Sequence, residues 1–220
     1  KSVIALLDGG ATASEPFQIG LEFGTRYNKS GWDTGLSIHT CLMNILPYLD
    51  PEDRPPALYQ GLSAVARDSA GAPPHFAVHP LPNSEVDAET LKSWFRQFIE
   101  IRDSEAAERC LLTAVRAPLE REQIADMLFA AATDHRYIDV GHSLDFINKA
   151  LEALDAVNWE GAETVFASLA AGLANAARME ESSSWRYPVD AVAILESAMA
   201  QLPAALEMGR SHRGNWSGRE

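Results

Sequence analysis

Apolar residues recur along this chain at spacings of three and four, the interval that lines one face of a helix. Leu144, Ile147, Leu151 and Leu154 form one such stripe, Leu91, Phe95 and Phe98 a second, and Val165, Leu169 and Leu173 a third. The alternating β-branched runs that signal strands are nearly absent. Capping chemistry marks the same elements. Asp50-Pro51-Glu52-Asp53 reads as an acceptor before a proline in the first helical turn, and Ser14-Glu15-Pro16, Asp87-Ala88-Glu89 and Asn158-Trp159-Glu160 read similarly. The pattern predicts an all-α chain, either a helical bundle or an α-α repeat. Its helices fall at about residues 2–8, 15–27, 34–49, 51–69, 88–102, 104–116, 120–133, 140–156, 159–178 and 189–209.

Prolines between Gly71 and Asn83 forbid a helix there, and Glu180 to Pro188 reads as a second loop. A shift of 106 residues pairs Phe23 with Phe129, Asp33 with Asp139, Gly35 with Gly141 and Ser37 with Ser143. Each half then holds a helix, a loop ending in Asp-x-Gly-x-Ser, a long helix and a further helix, which predicts a duplicated multi-helix unit. The expected layout is a first repeat over 1–75, a linker over 76–90, a second repeat over 91–209 and a polar tail over 210–220. The chain opens on Lys1 rather than Met, so a segment of a longer protein is expected, with the tail leading into a further region.

Charge and cysteine usage narrow the function classes. With 31 acidic against 18 basic residues the net charge is −13, a field that repels phosphate backbones and argues against nucleic acid. No unbroken apolar run long enough for a membrane span stands out, so no membrane partner is expected. Cys41 and Cys110 lie apart in apolar helical patterns, which predicts buried free thiols and a reducing, cytoplasmic setting.

The densest polar cluster runs from Asp134 to His142 and on to Asp145 and Asn148. If Asp139 caps a helix, His142 sits in its first turn and Asp145 one turn on. His135, Asp139 and His142 are then candidate ligands for iron or another transition metal, and His142 with Asp145 a candidate acid–base pair. The plainer reading makes Asp139 a cap, His142 a first-turn residue bonded to backbone and His135 a loop side chain. His39 aligns with Asp145 across the repeat. If the halves face each other about a pseudo-twofold axis, His39 joins the same site; otherwise it is a satisfied histidine on a helix flank. Trp32-Asp33-Thr34-Gly35 reads as a loop-to-helix corner, with Asp33 capping and Trp32 stapling. Neither a serine-hydrolase elbow nor a glycine-rich phosphate loop occurs.

Leu119 to Ala132 resembles the helix after the active site in the alkylhydroperoxidase and carboxymuconolactone decarboxylase families, which are all-α and often duplicated. Their Cys-x-x-Cys centre would fall near Glu105 to Ala114. Only Cys110 stands there and no histidine follows, so that peroxidase activity is not expected. Five segments, Leu21-Glu22-Phe23-Gly24, Gly31-Trp32-Asp33-Thr34, Ala132-Thr133-Asp134-His135, Asp139-Val140-Gly141-His142 and Glu180-Glu181 with Trp185-Arg186, carry a broader resemblance. It is to uncharacterised bacterial proteins whose helical repeats precede a Rieske iron–sulfur domain, and more faintly to questin oxidase-like proteins.

The resemblance implies the helical part of an oxidoreductase that takes an aromatic or quinone-like substrate and works with a Rieske-type domain outside these residues. On that reading His142, Asp145 and His39 serve the chemistry, and pairing with a second copy of the chain is admitted. The alternative is a non-catalytic, HEAT-like scaffold for a protein partner.

Overall fold

The computed structural model describes residues 2–76, 78–82, 85–117 and 119–212. Ten α-helices and no β-strand occur among them, as the periodicity predicts. In chain order they are α1 (Ser2–Asp8), α2 (Ser14–Arg26), α3 (Thr34–Ile45), α4 (Arg54–Asp68), α5 (Ala88–Glu100), α6 (Ser104–Arg116), α7 (Arg121–Thr133), α8 (His142–Ala156), α9 (Ala162–Asn175) and α10 (Ala191–Ser211). The chain divides into two compact units, residues 1–177 and 178–220. The expected boundary at 76–90 therefore lies inside the first unit. Of the expected polar tail, 213–220 lies outside the described residues, and 210–212 closes α10.

Local chemistry accounts for most helix ends. Asp87 accepts from the Thr90 N–H at 2.7 Å to start α5, and Asp103 accepts from the Ala106 N–H at 3.0 Å to start α6. Two starts come later than their patterns suggest. The Asp50-Pro51 pair opens a turn, and α4 begins only at Arg54, with Asp53 at the cap position. Before α9, Asn158 (φ 53°), Trp159 (φ 65°) and Gly161 (φ 75°) are left-handed, which no helix continues through, so α9 starts at Ala162.

In the first unit one core gathers residues of α2 to α9. Phe17, Phe95 and Phe166 lie fully buried within it, each worth about 2–3 kcal/mol of burial. A smaller cluster of Val3, Leu46 and Leu58 joins α1, the end of α3 and α4. The proline-rich stretch after α4 is a strap laid along α6. Buried Glu108 accepts from the Val78 N–H at 3.1 Å and lies 3.2 Å from His75 Nε2, and Thr113 Oγ1 accepts from the Leu81 N–H at 2.9 Å. A strap that cannot form a helix still has backbone donors to satisfy, and α6 supplies the acceptors.

Helix lengths in the two halves agree only in part: α2 and α7 have 13 residues each and α4 and α9 have 15 and 14, but α3 has 12 against 15 in α8. Packing differs. α4 closes chiefly on α3, whereas its counterpart α9 closes chiefly on α6. The expected duplication is thus not confirmed by helix length or by tertiary arrangement.

The second unit holds two short 3-10 turns, Met179–Glu181 and Ser183–Trp185, followed by α10. Asp190 starts α10 by accepting from the Ala193 N–H at 2.9 Å.

Candidate functional site

The long helices α3 and α8 meet, and between them lies an open groove of about 430 Å³. Half-buried Ile38, Leu42 and Phe146 form its apolar floor. Exposed Thr34, Cys41, His142 and Asp145 stand on its rim, with Gln60 contributed by α4. Volume and lining fall in the range of small-molecule sites, which combine apolar walls with a few polar groups. At the far end of the contact the helices are tied together by Glu152. Its carboxylate accepts from Asn44 Nδ2 across the groove at 2.6 Å, from Asn148 at 2.7 Å and from Lys149 at 2.8 Å. Burial alone would raise the Glu152 pKa; the hydrogen bonds from Lys149, Asn148 and Asn44 outweigh it and hold the group below its usual range.

The turn before α8 fixes His142 at the mouth of the groove. Asp139 does not cap α8. Tyr137 (φ 53°), Asp139 (φ 45°), Val140 (φ 48°) and Gly141 (φ 98°) are all left-handed, so the cap position falls to Gly141 and His142 is the first helical residue. Left-handed backbone costs a residue with a Cβ roughly 1–2 kcal/mol, most for a β-branched one such as Val140. The Asp139 N–H reaches the Ala177 carbonyl at 2.7 Å, which holds the turn in place. The His142 ring lies nearly parallel to Phe146, 17° between planes and 5.8 Å between centroids.

Behind Phe146 lies a second, much smaller cavity of about 30 Å³, lined by Trp32, Asp139, Ser143, Phe146, Leu169 and Leu173. That is room for about one water. Phe146 lines both spaces and so partitions them. Trp32, 2% exposed, anchors this corner as the sequence suggests. Its indole N–H donates to Ser37 Oγ at 3.1 Å and its backbone N–H to the Ser168 carbonyl at 2.7 Å. Gly31 precedes it with φ 81°, and a side chain there would run into that same carbonyl. Asp33 caps α3, accepting from the Thr34 N–H at 2.6 Å.

The five residues singled out from sequence occupy four different environments. His142 and Asp145 share the groove. His135 turns toward α5, its Nε2 2.9 Å from Glu100 Oε2, beside the two-pronged bond of Arg96 to Asp134 at 2.7 and 2.6 Å. These contacts fasten the end of α7 to α5. Asp139 faces the small cavity. His135, Asp139 and His142 therefore do not converge as a ligand set, and among the described residues no three His, Cys, Asp or Glu side chains do. The expectation of a transition-metal centre on that trio is corrected accordingly.

His39 is placed apart from the groove. Its ring is 1% exposed and lies between α2 and α4, with Nε2 3.0 Å from the Phe17 carbonyl oxygen and the Phe17 ring 4.6 Å away. Gly20 and Gly61 flank it; a Cβ on Gly61 would stand 2.5 Å from Nδ1. Nδ1 itself has no hydrogen-bond partner, and burial pushes the pKa below the usual histidine value despite the Phe17 contact. The expected approach of His39 to Asp145 fails for a geometric reason. α3 offers residues 34, 37, 38, 41 and 42 to the groove, whose counterparts under the 106-residue shift are 140, 143, 144, 147 and 148. α8 instead offers 142, 145 and 146, the counterparts of 36, 39 and 40. Equivalent helices meet, but with inequivalent faces, so position 39 looks away where position 145 looks in.

Cys110 is buried as expected, its thiol pushed up to about 12 by desolvation, whereas Cys41 is exposed on the groove rim. Cys41, Phe146 and Gln60 were not legible as site residues. Their only signal is the spacing of Thr34, Ile38 and Cys41, which a core stripe shares. The chain is significantly similar to no protein-family model, no curated protein and no solved structure.

Proposed function

We propose that the groove between α3 and α8 binds a small aromatic or quinone-like compound, and that the chain is the substrate-binding part of an oxidoreductase served by an electron-transfer domain outside it. One observation carries this reading. An apolar floor of Ile38, Leu42 and Phe146 is bordered by a histidine and a carboxylate, one turn apart on a single helix. A planar ring has a place against Phe146, and His142 and Asp145 stand where its oxygen substituents would emerge. Reduction of a quinone to a hydroquinone takes up two protons with its two electrons, so a titratable pair beside the oxygens suits that class. The left-handed turn at 137–141 supports the reading further, because a strained backbone is retained where it positions a side chain. His39, His135 and Asp139 have structural partners elsewhere and take no part in it.

Calorimetric titration with a panel of fully substituted benzoquinones and naphthoquinones, which resist addition of the Cys41 thiol, and the matching phenols tests the proposal. Binding is expected to weaken at least about tenfold in Phe146→Ala, which removes the ring contact, and to weaken also in Asp145→Ala, which removes the carboxylate. Binding of the panel unaffected by both substitutions, or no binding at all, refutes it. The second reading, a helical scaffold for a protein partner, is favoured by the exposed apolar residues of α10.

A further inference from the structure

α10 carries an apolar seam, most of which is exposed. Val192, Leu195, Met199, Leu202, Leu206 and Gly209 follow one another at spacings of three, four, three, four and three. That is the a/d register of a coiled coil, and Ile194 and Met208, 60% and 63% exposed, lie beside it at c positions. Val192 is buried, Leu195 half-buried, and Met199, Leu202 and Leu206 are 42%, 41% and 52% exposed. The opposite face carries Ser197, Ala200, Glu207 and Ser211. Pro203 stands beside the seam, not in it.

We propose that α10 pairs with α10 of a second copy, antiparallel, about a twofold axis between Ala200 and Gln201. In that register a and d positions face each other: Leu195 meets Leu206 of the partner subunit and Met199 meets Leu202 of the partner subunit. Each pair occurs twice by symmetry, as an isologous contact requires. The flanking charges fix the direction. Glu196 and Arg210 both occupy the e position, and antiparallel pairing brings e positions of the two chains to the same edge. Helical side chains lean toward their own N-terminus, so in opposed helices these two lean toward one another across the seam. Parallel pairing sets Arg210 against Ala205 of the partner subunit and gains no ion pair.

A lipid bilayer is the competing occupant, since α10 is the helix among the described residues long and apolar enough to cross one, with a hydropathy of 1.2 over its best window. Its chemistry fits a bilayer poorly. Glu196, Glu207 and Arg210 fall within its length, and the chain's charge of −13 opposes an anionic surface.

Sedimentation equilibrium of the chain over a micromolar concentration series tests the pairing. A monomer–dimer equilibrium is expected, shifted at least about tenfold toward monomer by Leu202→Glu with helicity and first-unit stability unchanged. Glu196→Arg and Arg210→Glu should each weaken the dimer, and the double exchange should restore it. A chain monomeric throughout the series, a dimer indifferent to Leu202→Glu, or a double exchange that restores nothing overturns the antiparallel pairing. So does flotation of the wild-type chain with phosphatidylcholine vesicles that Leu202→Glu abolishes.

Discussion

Adding one methyl group at Gly61 tests how tightly α4 closes on His39. The new Cβ would stand 2.5 Å from His39 Nδ1 and 3.1 Å from the α-carbon of the same residue. The ring cannot swing away, because Phe17 stacks on it at 4.6 Å and Gly20 backs its other edge. The α-carbon belongs to the backbone of α3, so relief requires α3 and α4 to separate. Overpacking of this kind costs about 1–3 kcal/mol, and the better helix propensity of alanine returns up to about 1 kcal/mol. A net loss of about 1–2 kcal/mol follows, which in a unit of this size lowers Tm by about 2–8 °C. Gly172 in α9 is the internal control. Its added Cβ would meet only the Ser30 carbonyl oxygen, at 3.8 Å, so the same substitution there should gain up to about 1 kcal/mol. Urea unfolding followed by far-UV circular dichroism reads both, with the slope of free energy on denaturant held constant. The reasoning fails if Gly61→Ala is as stable as Gly172→Ala, or if the cost of Gly61→Ala persists undiminished in a His39→Ala background.

Three further outcomes follow from the same contacts. Burial lowers the His39 pKa, so the folded state binds fewer protons than the unfolded one; the stability this residue protects is complete above about pH 6.5 and falls as pH drops below it. Urea midpoints measured down to about pH 5 should show that decline in the wild type and lose part of it in His39→Gln, and identical profiles count against a buried neutral histidine. Val140→Gly should stabilise the chain by roughly 0.5–1 kcal/mol, because Val140 is 62% exposed and its left-handed backbone is the dominant cost; a destabilised variant would show that the turn is not strained. Glu108→Ala should cost about 2 kcal/mol and speed proteolytic cleavage after the strap residues His75 and Phe76, whereas Glu108→Gln, which keeps an acceptor for Val78, should lose less. Equal cleavage in both variants would show that Glu108 does not hold the strap.

Helix content and order were readable because amphipathic spacing and caps are local. Asp33, Asp87 and the stripe through Leu91 and Phe95 each act within a few residues, and each appears where its pattern places it. The late starts of α4 and α9 arise where a cap-like pair is overruled by a turn, at Asp50-Pro51 and at Asn158-Trp159. The candidate site was half legible. The cluster around His142 and Asp145 marks one wall of the groove, since polar density within one segment is visible in sequence. The other wall depends on how far α3 is rotated about its axis, which only tertiary packing sets. That rotation sends His39 into the slot between Gly20 and Gly61 and brings Cys41 to the rim. His135 reads as a site residue in sequence because Glu100, its partner, is far away along the chain.

Cys41 offers the most direct measurement of the groove as a ligand site. It stands exposed on the rim, while Cys110 is wholly buried with its thiol pushed up to about 12, so alkylation with iodoacetamide under native conditions should modify one cysteine only. Mass spectrometry of the wild-type chain, with and without a saturating quinone that resists thiol addition, gives the rate at that position. A ligand seated on Ile38, Leu42 and Phe146 should slow Cys41 alkylation by about tenfold or more, and Phe146→Ala should remove the protection. A ligand that binds tightly yet leaves the Cys41 rate unchanged would place the site elsewhere in the molecule.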